Sequence, residues 1–428
     1  AANNTPPNSE QRFASCREPI MSVEDFTALV DKMVESNAQD LWQLSRFLWE
    51  NPELALHEFK AHNKLCEFLE KRGFKVHRNY VLDTAFRAEF QAPGGTDGPT
   101  VALMVEYDAL PGIGHACGHN LIAEASIGAA LAVMEAMKTT PAARGELIVL
   151  GTPAEESGGG KELLVQKGAF SDIDAALIAH PMNQDTLRLA FTALQHITVH
   201  YKGRPMHAAV SPWEGVNAMD AAVAAYVNVS LLRQQMKPEN RIHGIITESG
   251  TYPNVIPGST KVKFTVRAQT LDELNELVSR VEGCFTAAAV ATGCTMTLEK
   301  HPMYKDVVDN ITMLKAYKKH GQALGVVFTD DDLSFIAPCG ASTDAGNVSY
   351  EIPTIHPLFR IRTDGLNHTP AFAEASNSPE AQTPTLRVAK ILALTALDLF
   401  TDPTLMSQAR AEFHEWKQAR RQLLGGKN

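Results

Sequence analysis

Cysteine is scarce. The chain has six among 428 residues (Cys16, Cys66, Cys117, Cys284, Cys294 and Cys339), with no paired spacing. That excludes a disulfide framework and fits a reducing compartment. Long apolar runs are also lacking: none approaches the ~20 residues of a bilayer-spanning helix, so no membrane partner is expected. Basic clusters are few. Net charge is −10, and the one dense basic stretch, residues 417–421, reads as the solvated face of a terminal helix. No nucleic-acid surface is expected either. The first twenty residues are polar and have no apolar signal core, so residues 1–22 read as a disordered leader and the compartment as cytoplasmic. Repeats and low-complexity tracts are missing too. What remains is 44% hydrophobic and 21% charged, the balance of a globular protein too long for a single core.

The stretch with the most chemistry is residues 106–120, Glu-Tyr-Asp-Ala-Leu-Pro-Gly-Ile-Gly-His-Ala-Cys-Gly-His-Asn. An apolar run, residues 101–105, leads into it and reads as a buried strand. Helical spacing of apolar and small residues follows, over residues 121–137. Open α/β sheets place ligands at such strand ends. His115, Cys117 and His119 alternate, so an extended loop would aim all three one way. Thiolate and imidazole together suit zinc. Taken alone, the loop could still be a glycine-rich turn.

Other segments supply what one loop cannot. A strand at residues 146–150 ends in Gly151-Thr152-Pro153-Ala154-Glu155-Glu156, followed by three glycines, and a strand at 174–179 ends in His180. Equivalent strand ends converge in space. From residue 194 the pattern shifts to β-α-β-β-α-β: strands at 195–201, 241–249, 261–269 and 295–300, with helices at 218–233 and 271–292. This is the ferredoxin-like order. The expected architecture is therefore α/β, with a central-sheet catalytic domain in two parts (residues 23–193 and 301–428) and an inserted α+β domain at 194–300. The second part carries helices at 310–324 and 385–400, a strand at 354–361, and His368 in a polar loop.

If Cys117, His119, Glu156, His180 and His368 are ligands, they are one too many for a single tetrahedral ion. They suit two divalent cations with one shared donor, and sulfur can bridge. Such a pair holds a hydroxide and polarises a carbonyl. Glu155 is then the candidate base and Asp108 a partner orienting a ligand imidazole or the base. The reaction class is amide hydrolysis.

The motifs GIGHACGHNLIAEA, GTPAEESGGGK, AHP, NVIPG, STDAGNVS and LNHTPAF together resemble the zinc-dependent metallopeptidase family of aminoacylases and carboxypeptidase-G-like enzymes. They look most like its β-alanyl-lysine (Xaa-Arg) dipeptidase branch, with aminobenzoyl-glutamate and auxin-conjugate hydrolases as more distant relatives. The resemblance covers residues 40 to 400. It implies Cys117 as the bridging ligand of two ions, Zn2+ with Mn2+ as the alternative, and Glu155 as the general base. It implies that the inserted domain is a lid and dimerisation domain making a homodimer. His207 would then reach the neighbouring subunit's site to stabilise an oxyanion, and Asn254 and Arg267 would hold the substrate's carboxylate. From the residues alone, His207, Asn254 and Arg267 read as a turn residue, a loop cap and a strand-face charge. The implied substrate is a small dipeptide ending in lysine, arginine or ornithine. An N-acyl-amino-acid or aminobenzoyl-glutamate amidohydrolase is the alternative, and a metal-free binding protein the alternative of another class. Asn120 and Glu106 depart from the family pattern, as does Gly203-Arg204-Pro205-Met206.

Overall fold

The computed structural model describes residues 23–425 apart from 330, 331, 335 and 339. A six-stranded mixed sheet organises most of them. At its centre Thr100–Val105 runs parallel to Glu146–Gly151 on one side and Ala175–Leu177 on the other, and Thr354–Ile355 extends the parallel set. Phe86–Gln91 and Lys75–Arg78 close the far side antiparallel.

The central strands are apolar on both faces because both are covered. Val101, Leu103 and Val105 enter one core while Ala102 and Met104 enter another; Leu147 and Val149 against Ile148 and Leu150 divide the same way. That is the two-residue period of a strand roofed on both sides. The first core is built with the helices Val23–Glu50, His119–Thr139 and Pro379–Thr401.

His119–Thr139 has 21 residues and, among the described residues, is the one helix long and apolar enough to cross a bilayer. No such run stands out in the sequence. The polar residues Asn120, Glu124 and Ser126 break it in sequence, yet they are buried too, because the helix is enclosed on all sides. Glu124 faces Ser45 and Gln382, and burial pushes its carboxyl up to about 8. A buried acid whose folded pKa lies above its unfolded value favours the folded state most at low pH. That stability is lost as pH rises toward the folded pKa. Glu124→Gln is therefore expected to gain on the wild type between pH 5 and 8, by up to about 1.4 kcal/mol per pH unit. Urea denaturation across that range measures it, and parallel pH profiles would contradict it.

Residues 193–300 form a second, four-stranded antiparallel sheet from Ala193–Lys202, Arg241–Glu248, Ser259–Ala268 and Thr295–Lys300. Taken in chain order as first to fourth, the strands lie 4-1-3-2, the ferredoxin-like arrangement. Helices Ala218–Leu231 and Leu271–Thr292 cover one face, capped by Asn217 and Thr270. The first of these helices, which its sequence spacing over 218–233 predicts to be amphipathic, is apolar on its outer face as well. Val223, Tyr226, Val227 and Leu231 form an exposed apolar stripe, and Ile245 is exposed on the edge strand Arg241–Glu248.

The single strand expected at 354–361 is two pieces, Thr354–Ile355 and Leu358–Arg360. Pro357 has no N–H to continue the ladder. The chain instead changes partners, pairing Leu358–Arg360 with His180–Met182. His356 sits at that switch.

Candidate active site

The three central strands end at one edge of the sheet, and each delivers donors there. Thr100–Val105 runs into the loop with Asp108 and Cys117, Glu146–Gly151 into Glu155 and Glu156, and Ala175–Leu177 into His180. His368 arrives from the C-terminal segment, tied down by its N–H to Ala116 O at 2.8 Å. Cys117 Sγ lies 3.4 Å from His180 Nε2, and His368 Nε2 lies 3.3 Å from Glu156 Oε2. Possible donor atoms form three overlapping sets, each within 4.8 Å: Cys117/His119/His180, Cys117/Glu156/His368 and His119/Glu155/Glu156. All five expected ligands are thus brought together.

The backbone bends to allow it. Gly118 has φ +79°, and a Cβ there would sit 2.6 Å from Pro181 Cγ. Ala154 and His368 hold left-handed φ values of +62° and +67° without being glycine. Such strain persists only where surrounding structure enforces it, and it clusters at functional sites. The enforcement is visible around the glutamate pair. Ala154 N donates to Glu58 Oε1 at 2.9 Å, Tyr304 OH donates to Glu155 O, and Glu156 N donates to Asp108 Oδ2 at 2.9 Å.

Asp108 does a second job: its Oδ1 lies 3.1 Å from His119 Nδ1. That leaves His119 Nε2 facing Glu106, Glu155 and Glu156 at 3.4, 3.9 and 3.8 Å. Burial opposes charge on His119, but Asp108 outweighs it and holds the imidazole pKa well above its ordinary value. Burial, and then repulsion from Glu106 and Glu156, push Glu155 well up. Burial and Glu156 do the same to the Cys117 thiol, while burial draws His180 down to about 4. Crowded carboxylates, a thiol and an unbonded Glu156 Oε1 fit cationic charge placed among them. Behind this group Lys161 Nζ bridges Glu106 Oε1 and Asp344 Oδ1, at 2.6 Å each, with all three side chains inaccessible to solvent.

A cavity of about 400 Å³ opens over the cluster. Arg267 reaches it from the second sheet, donating to Ser342 Oγ and Gly340 O. His207 and Asn254 do not line it. They are exposed on a neighbouring pair of loops of the second unit, joined by Ala208 N to Asn254 O at 2.9 Å.

Residues 102–374 match the model of peptidase family M20/M25/M40. The chain belongs to this family. It is 47% identical over 391 residues to the Xaa-Arg dipeptidase of Mus musculus, covering 89% of this chain and 90% of that protein. The Homo sapiens Xaa-Arg dipeptidase is 45% identical over 394 residues, with the same coverage. A dinuclear metal binding peptidase of family M20 from Bacillus subtilis shares the fold, with a TM-score of 0.62 at 21% identity over 85% of this chain and 99% of that one.

Against this M20 chain, the alternating-loop reading fails at one residue. His115 is buried apart from the cluster, its carbonyl accepting from Ser376 Oγ, because the loop turns at Gly114 and Gly118 rather than running extended. Other side chains around the M20 site went unread. Glu58, Tyr304 and His356 carry no local motif, and Lys161, the last residue of GTPAEESGGGK, has no role assigned from sequence. Of the acidic run Asp330-Asp331-Asp332, which reads from sequence as a solvated loop, Asp330 and Asp331 lie outside the described residues.

Proposed function

We propose that this M20 peptidase is a metal-dependent dipeptidase that releases a basic C-terminal residue, of the β-alanyl-lysine or Xaa-Lys/Arg/ornithine type. The convergence of five donors beside Glu155 carries the chemistry. The 47% identity to a protein named Xaa-Arg dipeptidase supports the substrate.

Cys117, shared between two positions, with His119, Glu156, His180 and His368 would hold two divalent cations. The thiolate and imidazoles favour Zn2+ over Mn2+. Such a pair supplies water of lowered pKa and a polarised scissile carbonyl. Glu155 takes the proton of the attacking water and hands it to the departing amine. With cationic charge beside it, its raised pKa falls back toward the working range. Asp108 keeps His119 in one tautomer and one orientation. Arg267 receives the substrate's carboxylate, for which its planar fork is shaped.

His207 and Asn254 act from the lid and dimerisation domain, residues 194–300, on the other protomer of a homodimer. Their distance from the cavity in their own chain supports that reading. So do the apolar stripe of Val223, Tyr226, Val227 and Leu231 and the open strand edge beside Ile245. His207 of the partner subunit would stabilise the oxyanion as the carbonyl is attacked. The compartment proposed is the cytosol.

Kinetics on β-alanyl-lysine, aminobenzoyl-glutamate and an N-acyl-lysine test the reading, with β-alanyl-lysine expected to be the best substrate. Cleavage of the acidic compound with the basic one ignored would overturn it. For the shared site, His207→Ala and Glu155→Gln proteins, each nearly inactive, are expected to regain activity when mixed and allowed to exchange subunits. Without recovery, His207 works within its own chain or not at all.

A further inference from the structure

His356 lines the cavity, is 2% exposed, and has neither ring nitrogen hydrogen-bonded. Among the described lining residues, the other buried orphan is a single oxygen of Glu156, which the cation pair would use. Leaving a buried polar atom unpaired carries the full cost of its lost hydration. Two on the imidazole of a residue that lines the cavity therefore point to a partner that arrives with the ligand. Of the other polar side chains on the lining, His196 bonds Thr265, and Tyr304 bonds Glu155 and Gly159.

The place of His356 narrows what that partner is. Its ring centroid is 5.7 Å from that of His180 and 5.1 Å from that of Phe191. A group bonded to His356 is thus one short side chain away from the donor cluster, where the scissile carbonyl must lie. Arg267 accounts for the carboxylate on the leaving side. The part still without a partner is the amino group on the acyl side, roughly 4 Å from the carbonyl carbon in a β-alanyl group at ordinary bond lengths. An ammonium needs an acceptor, which a neutral imidazole supplies, and an aromatic face within ~6 Å adds attraction.

Resting on the dipeptidase reading, we propose that His356 is a specificity residue: it accepts a hydrogen bond from the free amino group of the substrate's N-terminal residue, beside Phe191. The site then prefers aminoacyl over acyl substrates, because without the amine the imidazole stays buried and unpaired.

The test compares β-alanyl-lysine with N-butyryl-lysine, in which a methyl replaces the ammonium, on the full-length enzyme and its His356→Leu and His356→Gln variants. Cation content is measured in each preparation. Leucine is expected to lower the kcat/KM ratio of the two substrates by about 10–100-fold, mainly through KM for the amine, the size of one lost charge-assisted hydrogen bond. Glutamine, which keeps an acceptor, should restore part of the ratio. Equal losses on both substrates, or an unchanged ratio, overturn the inference while leaving the dipeptidase reading intact. A wild-type enzyme that prefers butyryl-lysine overturns that reading itself, and this inference with it.

Discussion

Glu155→Gln is expected to lower kcat by about 10²–10⁴-fold, the reach of general acid–base catalysis, with fold and cation content unchanged. Glutamine has the same shape and can still hydrogen-bond, but it cannot take up a proton at neutral pH. The substitution should not disturb the loop. The contacts that hold it are to backbone groups: Glu58 to Ala154 N, Tyr304 to Glu155 O, and Asp108 to Glu156 N. Each persists whatever side chain stands at 155. KM should change little, since proton transfer belongs to the transition state rather than to binding. Steady-state kinetics with metal analysis on one preparation separates the cases. Turnover near that of the wild type would remove Glu155 from the reaction, and loss of bound cations would make it a ligand instead.

Lys161→Met is expected to cost about 3–5 kcal/mol of stability, as when one member of a buried ion group is removed. That is a large part of the roughly 5–15 kcal/mol that holds a domain folded. Lys161 has no solvent access and bonds both Glu106 and Asp344, so methionine fills the space but leaves two buried carboxylates without a cation. Burial alone would raise Glu106, but Lys161 and then His119 outweigh it and hold the carboxyl at about 2. Because that value lies below the unfolded one, the stabilisation is complete above the unfolded pKa and is lost as pH falls toward 2. The gap between wild type and variant should therefore narrow on acidification. Denaturant melts at pH 7 and pH 3 measure both effects, the second inside the window between the unfolded value and 2. A loss under about 1 kcal/mol, the scale of an exposed pair, would mean that the buried bridge contributes little.

Much of this was legible in the sequence because the central strands are short, apolar runs that end in reactive side chains. Glu155, Glu156 and His180 could be placed at one sheet edge from topology alone. The order of the inserted sheet was readable from period-two strands alternating with two long helices. The unread parts depend on contacts between distant segments. Lys161 looks like a surface lysine after three glycines until Glu106 and Asp344 close around it. His356 reads as one more strand residue, and becomes a cavity wall because the chain changes sheets at Pro357. His115 fits a sequence alternation that the loop does not keep, since His119 already begins a helix. Ala218–Leu231 reads as amphipathic, yet Val223, Tyr226, Val227 and Leu231 are exposed while Ala221, Ala222, Ala225 and Val229 are buried, a division that only the packing decides.

The claim beneath all of this is that Cys117, His119, Glu156, His180 and His368 form one two-cation site. Metal analysis of the purified protein beside Cys117→Ala tests it most directly. The account predicts about two divalent ions per chain, with content and turnover falling together when the shared thiolate is lost. A chain that turns over fully with less than one ion bound, or a Cys117→Ala protein that keeps both ions and full rate, would contradict it.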